Sequence, residues 1–278
     1  MKRILTIQDI SCVGKCSLTV ALPIISAFGV ETAILPTAVL SNHTQFKSWT
    51  FRDLTDDMKG IADKWKEENL TFDCVYTGYL GSERQIGIVS DIFDAFKTEN
   101  NFIIVDPAMA DNGKLYAGFT PDFVAAMAKL CGKADFILPN LTEAAFMLNI
   151  PYVESGYDED YIKGVLKKLT GLGAKTAILT GVSFDGKTVG AYGYDKLKNE
   201  YFSYMREYLP VNVHGTGDVY ASAFCGALSI GKTVAESAAL AVDFTVQSIS
   251  ETLKDPDHPF YGVEFEKAFP YLLKRIGR

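Results

Sequence analysis

Short apolar runs alternate along this chain with longer segments whose apolar positions recur at helical spacing. The short runs, at residues 2–7, 31–35, 72–76, 102–105, 136–138 and 175–179, read as strands. The longer segments, at 17–28, 54–68, 83–97, 121–131, 142–148 and 159–172, read as helices. Strands that alternate with helices and are mostly apolar predict a parallel sheet covered on both faces. Two further strands, 188–194 and 200–204, flank a turn at 195–199 and predict a small antiparallel element. A loop and helix at 214–230, a long apolar helix at 233–253 and a last amphipathic helix at 263–274 complete the chain. No repeat or low-complexity linker divides it, so residues 1–278 are read as a single domain of mostly parallel, three-layer α/β/α architecture.

Polar residues stand where the predicted strands end: Asp9, Thr77, Asp106, Asn140 and Thr180. Ligands of open α/β sheets bind at that edge. An ordinary loop residue is the alternative at each position taken alone; the shared placement argues for a site.

One match is rejected. Residues 181–188 fit the phosphate-binding loop pattern that ends in Gly-Lys-Thr, but that loop needs a helix after it. Here Thr188-Val189-Gly190-Ala191-Tyr192 alternates as a strand does, so Asp185-Gly186 is read as a hairpin turn.

The stretch Val211-Asn212-Val213-His214-Gly215-Thr216-Gly217-Asp218 runs into the first turn of an apolar helix. Its glycines permit close backbone approach to a ligand, and the amides of a helix start favour an anion. Asp218 at that point reads as a general base for an attacking hydroxyl, or as a helix cap. Asp106 through Gly113 carries two carboxylates, Asp106 and Asp111, which suit Mg²⁺ or are solvated acids of a turn. Asn140 and Glu143 have the spacing of a capping box.

Composition narrows the partners. Of 278 residues, 48% are hydrophobic and 22% charged, as in a soluble globule with a substantial core. The net charge of −7, with no basic block, argues against nucleic acid. No apolar run spans a bilayer, and Gln8 and Asp9 interrupt the first run too early for a leader, so a cytoplasmic protein is expected. Five cysteines without metal-type spacing are read as reduced thiols.

Gly215-Thr216-Gly217-Asp218 resembles the GTGD signature of the ribokinase superfamily, and Asn140 to Glu143 resembles its NxxE element. Within that superfamily the chain is similar to pyridoxal/pyridoxamine kinases. Thr6-Ile7-Gln8-Asp9 resembles their SIQS, Val13-Gly14-Lys15-Cys16 their VGN, and Asp106 through Asp111 their DPVxGD. Ser41-Asn42-His43-Thr44 and Thr77-Gly78-Tyr79 match SNHT and TGY as they stand.

The resemblance implies an ATP-dependent kinase that phosphorylates the 5′-hydroxymethyl group of a vitamin B6 vitamer. Asp218 would be the base, and Gly215, Thr216 and Gly217 the anion hole. Asp9, His43, Thr44 and Tyr79 would bind the vitamer. Asp106, Asn140, Glu143, Thr180 and Gly181 would face the nucleotide phosphates, with Leu209, Val211 and Val213 in the 209–213 stretch lining the adenine end. Asp111 and Glu143 would serve Mg²⁺. A monovalent cation and a homodimer are further implications. Three departures stand out. Asp9 replaces Ser and would favour a cationic group such as the amine of pyridoxamine; Ala110 replaces Gly in the acidic loop; Lys15-Cys16 replaces Asn-Ser. Other readings are a hydroxymethylpyrimidine or sugar kinase of the same superfamily, and a non-catalytic binder on the same fold.

Overall fold

The first strand, β1 (Arg3–Ser11), continues past its apolar run. Thr6, Gln8, Asp9 and Ser11 are all buried in it. They are partnered locally: Gln8 Nε2 donates to Thr6 Oγ1 at 2.9 Å, and Ser11 Oγ to Asp9 Oδ2 at 3.4 Å. Asp9 therefore lies inside the strand and not after it, contrary to the expectation from the pattern. The computed structural model describes residues 1–211 and 213–278.

After β1 the chain forms α1 (Leu18–Ala27), β2 (Glu31–Leu40), β3 (Phe51–Asp53), α2 (Thr55–Glu67) and β4 (Cys74–Thr77). It continues through α3 (Glu83–Phe96), β5 (Phe102–Val105), β6 (Ala110–Asp111), β7 (Lys114–Leu115), α4 (Pro121–Cys131), β8 (Phe136–Ile137), α5 (Leu141–Leu148) and α6 (Glu159–Gly171). Then follow β9 (Thr176–Val182), β10 (Thr188–Asp195), β11 (Glu200–Glu207), α7 (Thr216–Ser229), α8 (Val234–Leu253), a 3₁₀ turn (Phe265–Ala268) and α9 (Phe269–Arg275). These elements fall into two units, Met1–Cys74 with Leu209–Arg278, and Val75–Tyr208.

In the first unit β1 pairs in parallel with β2, from Arg3 opposite Glu31 to Gln8 opposite Pro36, then slips by a bulge to Ile10 opposite Val39. β3 adds an antiparallel edge. α7 is buried almost without interruption from Val219 to Ser229, as a helix with neighbours all round must be. Gly226 lets it approach α1 closely: a Cβ there would sit 2.3 Å from Phe28 Cδ2. The helix expected over 263–274 starts later. The Val263 amide is taken by the His214 carbonyl (3.2 Å) and the Glu264 amide by Thr252 Oγ1 (2.7 Å), so neither enters a helical ladder.

In the second unit the strand order is β11-β10-β9-β8-β5-β4. β8 pairs in parallel with β5 and β9, and β10 lies antiparallel to β9 and β11. The antiparallel element is thus where the alternation placed it, and the rejected phosphate loop is its hairpin. Asp185 Oδ1 accepts from the amides of Lys187 (2.9 Å) and Thr188 (2.8 Å), and Gly186 takes a φ of 66°. Helix starts are capped as their residue types dictate: Ser82, Thr120 and Asp158 each accept an amide three residues on. The parallel pairings with flanking helices are the α/β class the pattern predicts. Among the described residues, no helix is long and apolar enough to cross a membrane.

Candidate active site

In the first unit, α7 begins at an αL glycine. Gly215 is its N-cap with a φ of 82°, and Thr216, Gly217 and Asp218 follow as its first turn. A Cβ on Gly215 would lie 2.0 Å from the Lys15 carbonyl oxygen, so this glycine is required by both φ and space. Gly217 is exposed, and a Cβ added there would meet no atom within 4 Å. The cap is therefore Gly215, and Asp218, half-buried, stands three positions beyond it in the helix.

Cys16 reports on what surrounds it. Burial pushes its thiol well above the ordinary range, and the charges of Asp218 and Asp9 push it further. It stays protonated, and both carboxylates act on the same sulfur. Burial likewise raises the Asp9 carboxyl against the opposing bonds from Ser17 and Ser11.

The segment after β2 divides its work. Ser41 and Asn42 build the turn: Ser41 Oγ donates to Asn42 Oδ1 (2.7 Å) and Asn42 Nδ2 to the Ser48 carbonyl (2.9 Å). His43 is tied by its amide to the Val13 carbonyl (2.8 Å), and its Nδ1 accepts from the Gln45 amide (3.1 Å). The neutral ring thus carries its proton on Nε2. Burial, then His214 at 5.6 Å between ring centroids, lowers its pKa, so the ring is neutral at pH 7. Thr44 is exposed. Leu209, Val211 and Val213 are half-buried coil, and Asn212 lies outside the described residues.

The second unit holds the acids. Asp106 follows β5, and its amide donates to the Thr77 carbonyl at 2.9 Å. Glu143 is only 2% exposed, and its two oxygens tie two segments together. Oε2 accepts from the Asn140 amide (2.9 Å) in a full capping box on α5, and Oε1 from the Met109 amide (3.0 Å) in the acidic loop. Asn140 Nδ2 donates to the Ala110 carbonyl (2.8 Å), and the Gly113 amide to Thr142 Oγ1 (3.0 Å). Ala110, the departure from Gly, sits in β6; the left-handed residues of this loop are Ala108, Asn112 and Gly113.

Burial lifts both acids. Glu143 rises to about 7, against its backbone bonds and helped by Asp111. Asp106 rises well above the usual range through burial and then through Glu143. Asp111 is exposed and bonds the amide and side chain of Asn112 at 2.9 and 3.0 Å. Among the described residues no group of three or more His, Cys, Asp or Glu could hold a metal by itself. Exposed Asp111 and the buried, mutually repelling Asp106 and Glu143 are all oxygen donors, and the Glu143 oxygens already accept amides; such a set fits a hard, hydrated cation like Mg²⁺ whose remaining ligands are water and phosphate.

Thr180 and Gly181 are within β9, not beyond it. Thr180 bridges Asn140, its amide on the Pro139 carbonyl (3.0 Å), while Gly181 takes a φ of 69° and leaves the pairing with β10 irregular. Tyr79 is half-buried and stacks on Phe119 with centroids 5.6 Å apart.

Comparison with known proteins decides the family. The phosphomethylpyrimidine kinase family model matches residues 24–258. A Bacteroides thetaiotaomicron protein assigned to the phosphomethylpyrimidine kinases, crystallised with pyridoxal, is 38% identical; the match covers 98% of this chain and 95% of that one, with a TM-score of 0.92. The Lactobacillus plantarum pyridoxal kinase is 30% identical over 99% of this chain and 98% of its own, with a TM-score of 0.90. The chain belongs to the pyridoxal kinase family of the ribokinase-like superfamily. A Dictyostelium discoideum pyridoxal kinase, 28% identical over 81% of this chain and 77% of that protein, agrees.

As a member of that family the chain is a small-molecule kinase, and beside the candidate residues lie others that local sequence did not single out. His214 faces His43 from a distant part of the chain. Ser11 and Ser17 bond the one acid that replaces the family's usual serine. Lys15, noted only as a departure from Asn, lies against Gly215. A polar residue buried in a strand was the available signal for Ser11; Ser17 lies beyond β1, just before α1, and nothing local marks it or the other two.

Proposed function

We propose that this kinase transfers the γ-phosphoryl of ATP to the 5′-hydroxymethyl of a vitamin B6 vitamer, with Asp218 as general base. The observation that carries the reading is the placement of a half-buried carboxylate in the first turn of α7, directly after the αL Gly215. The likeness to a structure holding pyridoxal supports the substrate class. Asp218 would take the hydroxyl proton as that oxygen bonds to phosphorus and the bond from phosphorus to the ADP oxygen breaks. Gly215, Thr216 and Gly217 would offer amides to the charge on the transferring group, where preorganised donors are worth most.

Thr44 and Tyr79 would hold the pyridine, and His43, a donor at Nε2, its substituents. Asp106, Asn140, Thr180 and Gly181 would serve the phosphates, and Leu209, Val211 and Val213 the adenine. Asp111 and Glu143 would hold Mg²⁺, which neutralises phosphate charge. Asp9 is buried, with hydroxyl partners and no cation paired to it among the described residues. It would favour pyridoxamine over pyridoxal. We read 1–278 as one kinase domain, since one unit is built from both chain ends. The family resemblance adds a homodimer, a monovalent cation and a cytoplasmic location to the proposal.

One assay with MgATP and pyridoxal, pyridoxamine, hydroxymethylpyrimidine or ribose tests it. The B6 vitamers should exceed the others in kcat/KM by at least about tenfold, a margin that one buried polar contact supplies. Preference for hydroxymethylpyrimidine, the reading favoured by the description of the matching family model, would overturn the substrate. Melting shifts with ligand but no ATP consumption would make the protein a binder.

A further inference from the structure

Three segments remote in sequence interlock at the start of α7. The Lys15 carbonyl fills the space beside Gly215, 2.0 Å from where a Cβ would stand. Gly262, with a φ of 150°, packs its bare Cα against the same lysine, where a Cβ would lie 2.3 Å from Lys15 Cβ. The next residue, Val263, donates its amide to the carbonyl of His214, immediately before Gly215. Lys15 Nζ reaches over the Phe265 ring, 5.2 Å from its centroid, and pairs with Glu266. The segment is anchored from behind: the Glu264 amide donates to Thr252 Oγ1 on α8, and that hydroxyl donates to the Ser248 carbonyl at 2.7 Å.

The Lys15 ammonium is held, not free in solvent. Its side chain is 18% exposed, its stem lies on Gly262 and its carbonyl against Gly215, and neither glycine could carry a side chain. The salt bridge alone would be worth little, because Glu266 is 48% exposed. Its effect is geometric. A lysine held at its carbonyl by Gly215 and at its head by Phe265 and Glu266 fixes the distance between the 262–266 segment and the glycine turn.

We propose that Lys15 is a positioning residue: with the 262–266 segment it latches the Gly215 turn and so aligns the amides and Asp218 for phosphoryl transfer. This rests on the reading of Asp218 as base. Lys15 touches no reacting atom in this role. Loosening the latch should disturb the donors where charge develops and leave ground-state binding nearly intact.

The test compares wild type, Lys15→Met, Lys15→Arg, Glu266→Gln and Asp218→Asn, with kcat and KM measured for pyridoxal and MgATP and the folded fraction from calorimetry. Lys15→Met keeps the stem and should lower kcat per folded enzyme by about tenfold or more, the scale of a sub-ångström misplacement. Both KM values should stay within about twofold, as expected when only transition-state interactions are lost. Lys15→Arg should recover most of kcat. Glu266→Gln, at an exposed position, keeps the test open if Lys15→Met does not fold, and should lower kcat about threefold, the smaller effect expected of one half-exposed partner. Wild-type kcat per folded enzyme in Lys15→Met and Glu266→Gln, or losses confined to KM or to melting temperature, would overturn the inference. Full turnover by Asp218→Asn would instead overturn the base. An inactive Asp218→Asn beside a fully active Lys15→Met would sink the latch alone.

Discussion

Asn140 and Glu143 bond each other in both directions: the Glu143 amide donates to Asn140 Oδ1 and the Asn140 amide to Glu143 Oε2, each at 2.9 Å. The capping box leaves Glu143 Oε1 to hold the Met109 amide, so one side chain joins α5 to the acidic loop. Helix capping and a role at the phosphates are therefore compatible duties of one residue. Glu143→Gln trades one acceptor for a donor aimed at an amide. It should cost about 1–2 kcal/mol in urea unfolding without nucleotide. It should also raise the KM for MgATP by about tenfold, as changes around a metal site do. Unaltered values for both would remove Glu143 from the site and from the frame.

The Asp106 and Glu143 carboxyls give the nucleotide-free protein a definite pH dependence. Burial raises both, Glu143 to about 7, so between the ordinary carboxylate range and about 7 the folded state holds more protons than the unfolded. Stability from this pair is fully expressed in the neutral, protonated form and is lost as pH rises through about 7. His43 works the other way: its depressed pKa lets the unfolded state take up protons first, and stability falls on acidification below the ordinary histidine range. Melting curves of wild type and Asp106→Asn across this range separate the two. The variant should lose the Asp106 share of the decline towards neutral pH and keep both the Glu143 share, which rests on that residue's own burial, and the histidine limb. Parallel curves for the two proteins would show that the Asp106 carboxyl is not raised.

Asp218→Asn preserves the shape of the first turn of α7 and removes the capacity to accept a proton. If proton removal accompanies attack, kcat should fall at least about a hundredfold, the usual effect of losing a general base. The KM for MgATP should change little. Wild-type turnover in pure variant, with contaminating kinase excluded by its substrate profile, would leave the first turn of α7 as an anion site without a base.

The sequence read best where one local rule governed the residues. The limits of β5 and α4 follow the apolar pattern to the residue, and Pro121 with Thr120 marks the start of α4. The Asn140–Glu143 spacing announced its own capping box. β1 ran on past its expected end because Asp9 and Ser11 are buried polar residues whose partners include Ser17, beyond the strand. β6 and β7, two residues each, are too short for any period to show. Lys15 and Glu266 meet across a separation of 251 residues, and such a pair leaves no trace in either neighbourhood. The candidate residue types were thus visible, whereas the elements that hold them in place were set by distant chain.

Gly215 and Gly217 stand two residues apart and should respond differently to alanine. At Gly215 the φ of 82° and the Lys15 carbonyl both exclude a side chain. Gly215→Ala should destabilise by about 2 kcal/mol or more and abolish activity, because strain and a backbone clash add. At Gly217 no atom lies within 4 Å of the added Cβ. Gly217→Ala should unfold within about 0.5 kcal/mol of wild type, as exposed substitutions do. A fall in kcat without loss of stability at Gly217 would then measure close approach of the transferring group. Equal stability losses at both glycines, by urea titration, would contradict the geometry.

Lys187 tests the rejected phosphate loop. In such a loop the lysine before Thr188 would reach the nucleotide phosphates, and its loss would remove most activity. Here it is exposed in the β9–β10 hairpin, its amide bonded to Asp185 Oδ1 at 2.9 Å, and a strand follows where the loop would need a helix. The main-chain bond is independent of the side chain, so Lys187→Ala keeps the turn. Its kcat and its KM for MgATP should remain within about twofold of wild type, as for a surface change remote from the chemistry. Asp185→Ala, which releases the amides of both Lys187 and Thr188, should cost about 1 kcal/mol of stability with turnover per folded enzyme unchanged. A Lys187→Ala variant that no longer binds MgATP would place the phosphates at this hairpin and move the donor site away from Asp106 and Glu143.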